Sequence, residues 1–309
     1  MDNLKHLVET QQLSSEVIFE LFHKADELQK SDQKPLKGKI LATLFYEPST
    51  RTRLSFESAM MRLGGRILTT ENAKEFSSAV KGESIEDTAR TVACYADCIV
   101  MRHFEEGAAA RAAAISPVPV INAGDGGGQH PTQALLDLYT IYKECGKVDG
   151  LKIAMIGDLA YGRTVRSLCY LLGKFNDIKI IFVSPKNLKM REDIKEYLKD
   201  HAVSFEEETD LNKILPLVDI AYMTRIQKER MLPEEYEKAK GKYVINSGNL
   251  SLVRLDARIL HPLPHVEEID LPTDIEQKDT RIAYFRQVQN GLFVRMALLN
   301  HLLSANHKF

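Results

Sequence analysis

The stretch Tyr46-Glu47-Pro48-Ser49-Thr50-Arg51-Thr52-Arg53-Leu54-Ser55-Phe56-Glu57 decides how the chain is read. Upstream of it, Ile40 to Tyr46 is an apolar run with β-branched and aromatic residues, which predicts a buried strand. Downstream, Phe56, Ala59, Met60 and Leu63 fall at helical spacing, and Gly64-Gly65 supplies a stop. A strand, a tight turn and a helix N-terminus therefore carry three hydroxyls and two guanidinium groups in a row. The first backbone N–H groups of a helix lack internal partners, and the helix dipole adds positive potential there. A lone Ser-Thr pair would be read as a helix cap beside solvated arginines. Five consecutive donors at such a turn instead point to a site for a phosphate-sized anion.

Composition bounds the rest. A chain of 309 residues is long enough for two domains with a substantial core. Its 44% hydrophobic content and formal charge of -2 describe a globular protein with no electrostatic bias toward nucleic acid or a membrane surface. No apolar run reaches the length of a membrane span, and Met1-Asp2-Asn3-Leu4-Lys5 lacks the layout of a signal peptide, so a cytoplasmic location is expected. Cys94, Cys98, Cys145 and Cys169 have no companion ligands at zinc spacing, and free, mostly buried thiols are expected.

Along the chain, Leu13-Ser14-Ser15-Glu16 opens a helix with Val17, Ile18, Leu21, Phe22, Ala25 and Leu28 on one face. Ser84-Ile85-Glu86-Asp87 starts another, to about Ala96, followed by a short strand from Cys98 to Met101 that ends in Arg102-His103. A strand at Val118 to Ile121 leads into the glycine-rich segment Asn122 to Gln133 and a helix marked by Leu135, Leu136, Leu138, Tyr139 and Tyr142. After Cys145-Gly146-Lys147-Val148-Asp149-Gly150 a second series begins. It has strands near 152–156, 178–183, 219–223, 243–245 and 259–260, and helices near 191–199 and 233–240. The alternation predicts an α/β fold of two doubly wound domains, each with a central parallel sheet flanked by helices, and an active site in the cleft between them. Residues 1–146 would form the first domain and 147–285 the second. The last helix, 286–309, has Val288, Leu292, Phe293, Met296, Leu299 and Leu303 on one face, and packing back on the first domain is one of two placements that its periodicity allows.

Arg51, Arg102, Arg163 and Arg225 all lie at or just past predicted strand ends, with His130 and Gln133 in the glycine-rich loop. Singly, each arginine would be read as a surface ion-pair member. Together, at equivalent positions of alternating strands, they suit bidentate grip on phosphate and carboxylate oxygens. Gly157 to Thr164 imitates a nucleotide P-loop but has Arg163 where its lysine belongs, which argues against ATP or GTP. The dinucleotide pattern G-x-G-x-x-G is absent, as is a serine nucleophile elbow. His130, His261 and His265 lack metal-ligand spacing, and neither metal nor cofactor is expected.

With these residues in view, the sequence resembles the aspartate and ornithine carbamoyltransferase family nearly end to end. Ser49-Thr50-Arg51-Thr52-Arg53, Met101-Arg102-His103, His130-Pro131-Thr132-Gln133, Gly162-Arg163-Thr164 and His261-Pro262-Leu263-Pro264 match its blocks in order. Ornithine enzymes typically carry cysteine where Thr132 and Pro262 stand, and Met223 to Arg230 is similar to the aspartate branch. The resemblance implies carbamoyl transfer from carbamoyl phosphate to the α-amine of L-aspartate, an early step of pyrimidine synthesis. It assigns Ser49, Thr50, Arg51 and Thr52 to the phosphate; Thr52, Arg102 and His130 to the carbamoyl carbonyl; and Gln133 to the carbamoyl amide. It assigns Arg163 to the aspartate α-carboxylate, Arg225 and Gln227 to the β-carboxylate, and the carbonyls of Leu263 and Pro264 to the amine. Ser77 and Lys81 would reach the site from a neighbouring subunit of a homotrimer, and Glu47 would pair with Arg163 and Arg230 on domain closure. Two departures are Val80, where a second lysine is frequent, and His265, where an arginine is common. Ornithine or another amino acceptor is the nearest alternative; a non-catalytic anion-binding module and a nucleotide-dependent enzyme are others. A separate regulatory chain is left open.

Overall fold

A computed structural model describes residues 4–76, 78–226, 234, 236–237 and 241–304. Two compact units appear, one formed by the residues up to Leu136 with those from Gln289 on, the other by Asp137–Val288. The divisions fall inside two helices, Pro131–Cys145 and Tyr284–Ser304.

In the first unit, β1 (Ile40–Phe45), β2 (Arg66–Glu71), β3 (Cys98–His103) and β4 (Val120–Asp125) form a parallel sheet in the order β2-β1-β3-β4. β1, β3 and β4 are nearly continuous buried runs, as strands covered on both faces must be. Leu7 extends the sheet past β4, its N–H donating to Val120 O at 3.0 Å and its carbonyl accepting from Asn122 N at 2.8 Å. Helix α1 (Ser15–Gln29) starts with the Ser14 hydroxyl accepting from Val17 N, and all six residues of its expected apolar face are buried. Helix α2 (Thr50–Arg62) follows the turn after β1 and buries Phe56, Ala59 and Met60. Two short helical segments, α3 (Ala73–Phe76) and α4 (Ile85–Ala93), precede β3; the second is capped by the Ser84 hydroxyl, which accepts from Asp87 N. Helix α5 (Ala108–Ile115) links β3 to β4, and α6 (Pro131–Cys145) follows the glycine-rich loop.

The second unit holds a five-stranded parallel sheet built from β5 (Lys152–Ile156), β6 (Lys179–Val183), β7 (Ser204–Glu208), β8 (Ile220–Met223) and, beyond a two-residue strand β9 (Ile245–Asn246), β10 (Arg258–Leu260). Its order is β10-β8-β5-β6-β7, and β9 pairs separately with β11 (Ile269–Asp270). Each sheet reverses winding beside its first strand, and the carboxyl ends at such a switch point are where a sheet of this kind binds ligands. Helix α7 (Arg163–Leu172) follows β5.

Several expectations need correction. Strand β4 runs on to Asp125 rather than stopping at Ile121, because Ala123 and Gly124 are small enough to continue a fully buried strand. The edge strands β2 and β7, Arg-Ile-Leu-Thr-Thr-Glu and Ser-Phe-Glu-Glu-Glu, were not foreseen, since neither is an apolar run. Charge is what an edge strand tolerates: Glu207 of β7 pairs with Lys189 at 2.6 Å and Lys195 at 2.6 Å. The expected face of the last helix is incomplete. Val288 is 41% exposed, whereas Val294, Ala297, Leu298 and Leu302 are buried beside Met296 and Leu299. A helix buried on more than one side has no single stripe for periodicity to find. Its Arg295 holds it to α2, with Nη1 2.9 Å from Ser55 Oγ and the guanidinium over the Phe56 ring. The expected helix at 233–240 lies mostly outside the described residues.

A buried polar group ties the second unit together. Asp137 accepts from Tyr222 Oη at 2.6 Å and from Gln287 Nε2 at 2.6 Å, and all three side chains are fully or almost fully buried. Replacement of Asp137 by alanine leaves two buried donors unpaired, each at a cost of about 1–3 kcal/mol. Asp137→Ala should therefore lower the denaturant midpoint clearly, and an unchanged midpoint would contradict the network.

Candidate active site

The candidate residues of the first unit are organised by strand register. Phe45 lies opposite Arg102 in the β1–β3 pair, and Tyr46 N donates to Arg102 O at 2.9 Å. The turn carrying Ser49 to Thr52 and the carboxyl end of β3 thus leave the sheet side by side. Ser49 occupies the N-cap position of α2, yet its hydroxyl makes no cap hydrogen bond. The plain helix-cap reading therefore fails for Ser49, and its oxygen is left for another partner. Thr52 is buried in the first turn.

The two arginines differ from the sequence expectation in position: Arg102 lies within β3, and Arg51 in the first turn of α2. Glu47 Oε2 stands 3.6 Å from Arg102 Nε, an ion-pair distance too long for a hydrogen bond, and that buried Nε has no hydrogen-bond partner among the described residues. Burial lowers the pKa of the Arg102 guanidinium, Glu47 raises it, and the charge of Arg51 lowers it again. Burial also lowers that of Arg51, which among the described residues has no ion pair. Two neighbouring guanidinium groups, only one of them facing a carboxylate, leave a net positive charge that an anion can neutralise. Arg53 is different. It turns to Glu57, with Nη1 3.8 Å from Oε1, and Glu57 is fixed by Thr69 Oγ1 at 2.6 Å and Thr43 Oγ1 at 3.1 Å.

The third strand end supplies His130 and Gln133, both buried. The loop before them is held by Asp125, which accepts from Gly107 N at 2.8 Å, Gln129 N at 3.0 Å and Asn122 Nδ2 at 3.0 Å. Gly126 has φ +38°, and a Cβ there would stand 2.5 Å from Phe104 O. This carboxylate had no sequence motif to announce it; its only signal was an acid placed directly before three glycines. Lys81 is exposed at the end of a short 3-10 turn, Ser78–Lys81, and Ser77 lies outside the described residues.

In the second unit the ends of β5 and β8 meet. Thr224 donates to Ile156 O through its N–H at 2.8 Å and its hydroxyl at 2.9 Å. Gly157 takes φ +114°, and a Cβ there would lie 2.2 Å from Thr224 O. That approach brings the loop leading to Arg163 beside the segment carrying Arg225; both arginines are half-buried. Arg163 is the first residue of α7, beyond the loop rather than at the strand end, and the buried Asp158 shapes the loop by accepting from Tyr161 N at 2.9 Å. Gln227 and Arg230 lie outside the described residues. Past β10, Leu263 has φ +53°, a conformation that costs a non-glycine residue on the order of 1–3 kcal/mol and persists only where its surroundings impose it. Leu263 N donates to His261 Nδ1 at 2.8 Å, and His265 Nε2 is 3.3 Å from Glu276. His261 is almost fully buried.

Known proteins resemble this chain along nearly its whole length. The family model for the "Aspartate/ornithine carbamoyltransferase, carbamoyl-P binding domain" matches residues 5–143, and that for the "Asp/Orn binding domain" matches 149–302. Aspartate carbamoyltransferase, chloroplastic, of Arabidopsis thaliana is 56% identical over 307 residues, 97% of this chain and 78% of the relative. The solved catalytic subunit of M. jannaschii aspartate transcarbamoylase superposes with a TM-score of 0.91 at 49% identity, over 99% of this chain and 100% of that one. The Trypanosoma cruzi aspartate transcarbamoylase, solved in complex with carbamoyl phosphate and aspartate, gives a TM-score of 0.90 at 38% identity, over 97% of this chain and 95% of that one.

Gly157→Ala tests the close approach of the β5 and β8 ends. It should destabilise the protein by about 1–3 kcal/mol, from backbone strain, with further loss from the clash. A melting temperature equal to that of the parent would show that the two strand ends do not meet as described.

Proposed function

The chain belongs to the aspartate/ornithine carbamoyltransferase family, and on that premise we propose how its residues transfer the carbamoyl group of carbamoyl phosphate to the α-amine of L-aspartate. The observation that carries the reading is the under-neutralised pair Arg51 and Arg102 beside the N-terminus of α2. It suits a phosphate dianion. Backbone N–H groups of the α2 turn, the hydroxyls of Ser49, Thr50 and Thr52, and the Arg51 guanidinium hold that phosphate. Thr52, Arg102 and His130 donate to the carbamoyl oxygen, and Gln133 orients the carbamoyl nitrogen.

On the acceptor side, Arg163 takes the α-carboxylate, and Arg225 with Gln227 the β-carboxylate. A guanidinium in that place favours a diacid and disfavours ornithine, whose side chain would bring a second cation into a half-buried site. Carbonyls of Leu263 and Pro264 accept hydrogen bonds from the amine and aim its lone pair. The amine nitrogen attacks the carbamoyl carbon, the C–N bond forms, and the C–O bond to phosphorus breaks. The departing phosphate can take the proton that the amine gives up. Because the carbonyl arrives with a good leaving group, no covalent enzyme intermediate is required. Catalysis is then positioning plus stabilisation of the oxyanion that develops on the carbamoyl oxygen.

Lys81 and Ser77 of a neighbouring copy complete each site in a homotrimer, which would explain why Lys81 is exposed here at the end of a short turn rather than folded onto its own unit. The four cysteines are free, as suits a reducing compartment, and we place the chain in the cytoplasm.

Arg102→Ala and His130→Ala should each lower turnover by roughly 10² to 10³, or about 2.7–4 kcal/mol, with little effect on the melting temperature. Near-normal turnover in both would remove them from the mechanism. Site sharing has its own test. Lys81→Ala and Arg51→Ala proteins, each inactive alone, are mixed, dissociated and reassembled. Random assembly of equal pools into closed trimers should make about a quarter of the sites intact and restore activity. A mixture as inactive as its parents would mean that each site is built from one chain.

A further inference from the structure

We propose that His261 is a positioning residue for the acceptor amine, held as the neutral, Nε2-protonated tautomer so that its Nδ1 can fix the backbone of Leu263. The tautomer follows from two hydrogen bonds. Leu263 N–H donates to Nδ1 at 2.8 Å, so that nitrogen is an acceptor and carries no proton. Nε2 lies 2.8 Å from Glu268 Oε1, and a carboxylate can only accept, so Nε2 carries the hydrogen. A second proton on the ring would set an N–H at Nδ1 against the Leu263 N–H.

Both ring nitrogens and the backbone N–H of His261 are held by hydrogen bonds. Glu268, itself buried, also accepts from Val266 N at 3.2 Å. The backbone N–H of His261 donates to Gln287 Oε1 at 2.9 Å, and Gln287 Nε2 donates to Asp137 Oδ1, which orients the Gln287 amide. The chain of bonds from Asp137 through Gln287, His261 and Leu263 therefore runs from a buried carboxylate to a residue with φ +53°. Leu263 is non-glycine in the left-handed region, and the Nδ1 contact is the side-chain interaction that holds its N–H there. Fixing that peptide fixes the directions of the carbonyls on either side of the Leu263–Pro264 bond. The proposal rests on the reading that those carbonyls meet the aspartate amine.

Asparagine and glutamine separate the two ring nitrogens. Asparagine places an oxygen near the position of Nδ1 and can still accept from Leu263 N, but cannot reach Glu268. Glutamine places its amide near Nε2, keeps a donor for Glu268, and offers Leu263 no acceptor. His261→Gln should raise the KM for aspartate about tenfold, the upper range for one lost hydrogen bond, with the KM for carbamoyl phosphate within twofold. His261→Asn should raise the aspartate KM less than His261→Gln does. The reverse order, equal shifts in both substrates, or two variants indistinguishable from wild type would overturn the assignment. Wild-type protein that makes no carbamoyl aspartate would overturn the functional reading and this one with it; an active wild type with unaltered variants would overturn this one alone. Should either variant fail to fold, nitrogen-15 NMR of histidine-labelled wild-type protein decides the matter. A protonated Nε2 and bare Nδ1 at His261 is expected, and a proton on Nδ1 would refute it.

Discussion

The parallel pairing of β1 with β3 sets the geometry of the first unit. It places Phe45 opposite Arg102, and Tyr46 N donates to Arg102 O. A slip of one residue would turn every side chain of β1 to the other face, so the burial of the strand and the position of the turn after it are fixed together. The turn from Glu47 to Thr52 must then emerge beside the Arg102 guanidinium. On the other side of β3, the register shifts between Met101 and His103, and Gly126 N donates to His103 O at 2.9 Å. That irregularity sets the start of the glycine-rich loop that precedes His130.

Electrostatics gives this geometry its use. Arg51 and Arg102 are drawn together by backbone constraints rather than by a carboxylate that would satisfy both, and each is depressed in pKa by burial. Arg53, two residues on, faces Glu57, whose carboxylate is held by two threonine donors, whereas Arg51 has no ion pair among the described residues. The second unit repeats the device with other parts. Gly157 allows the end of β5 to touch Thr224 at the end of β8, and two half-buried arginines flank the junction. In both units a backbone contact between adjacent strand ends brings arginines beside those ends.

Much of this was legible in the sequence because the relevant residues sit in local patterns. The donor run from Ser49 to Arg53 lies between an apolar strand and a helical period, and the order of the later blocks is equally local. The α1 face and the Ser84 cap were likewise readable. What escaped depends on partners distant in the chain. Asp125 fixes the loop before His130 through Gly107 N, Asp137 is defined by Tyr222 and Gln287, and the tautomer of His261 is defined by Glu268. The edge strands β2 and β7 escaped for another reason: half-exposed strands need not be apolar. The last helix misled because it is covered on more than one side, so Val288, a member of its expected stripe, remains exposed.

The most direct test of the account is a calorimetric titration of carbamoyl phosphate into wild-type and Arg51→Ala protein without aspartate, repeated at raised salt. The account predicts at least about tenfold weaker binding in the variant, the loss expected for one charge-assisted contact of about 1.5–3 kcal/mol. It also predicts a smaller salt dependence in the variant than in the wild type. Equal affinity in the two proteins would contradict the claim that the β1–α2 turn holds the phosphate.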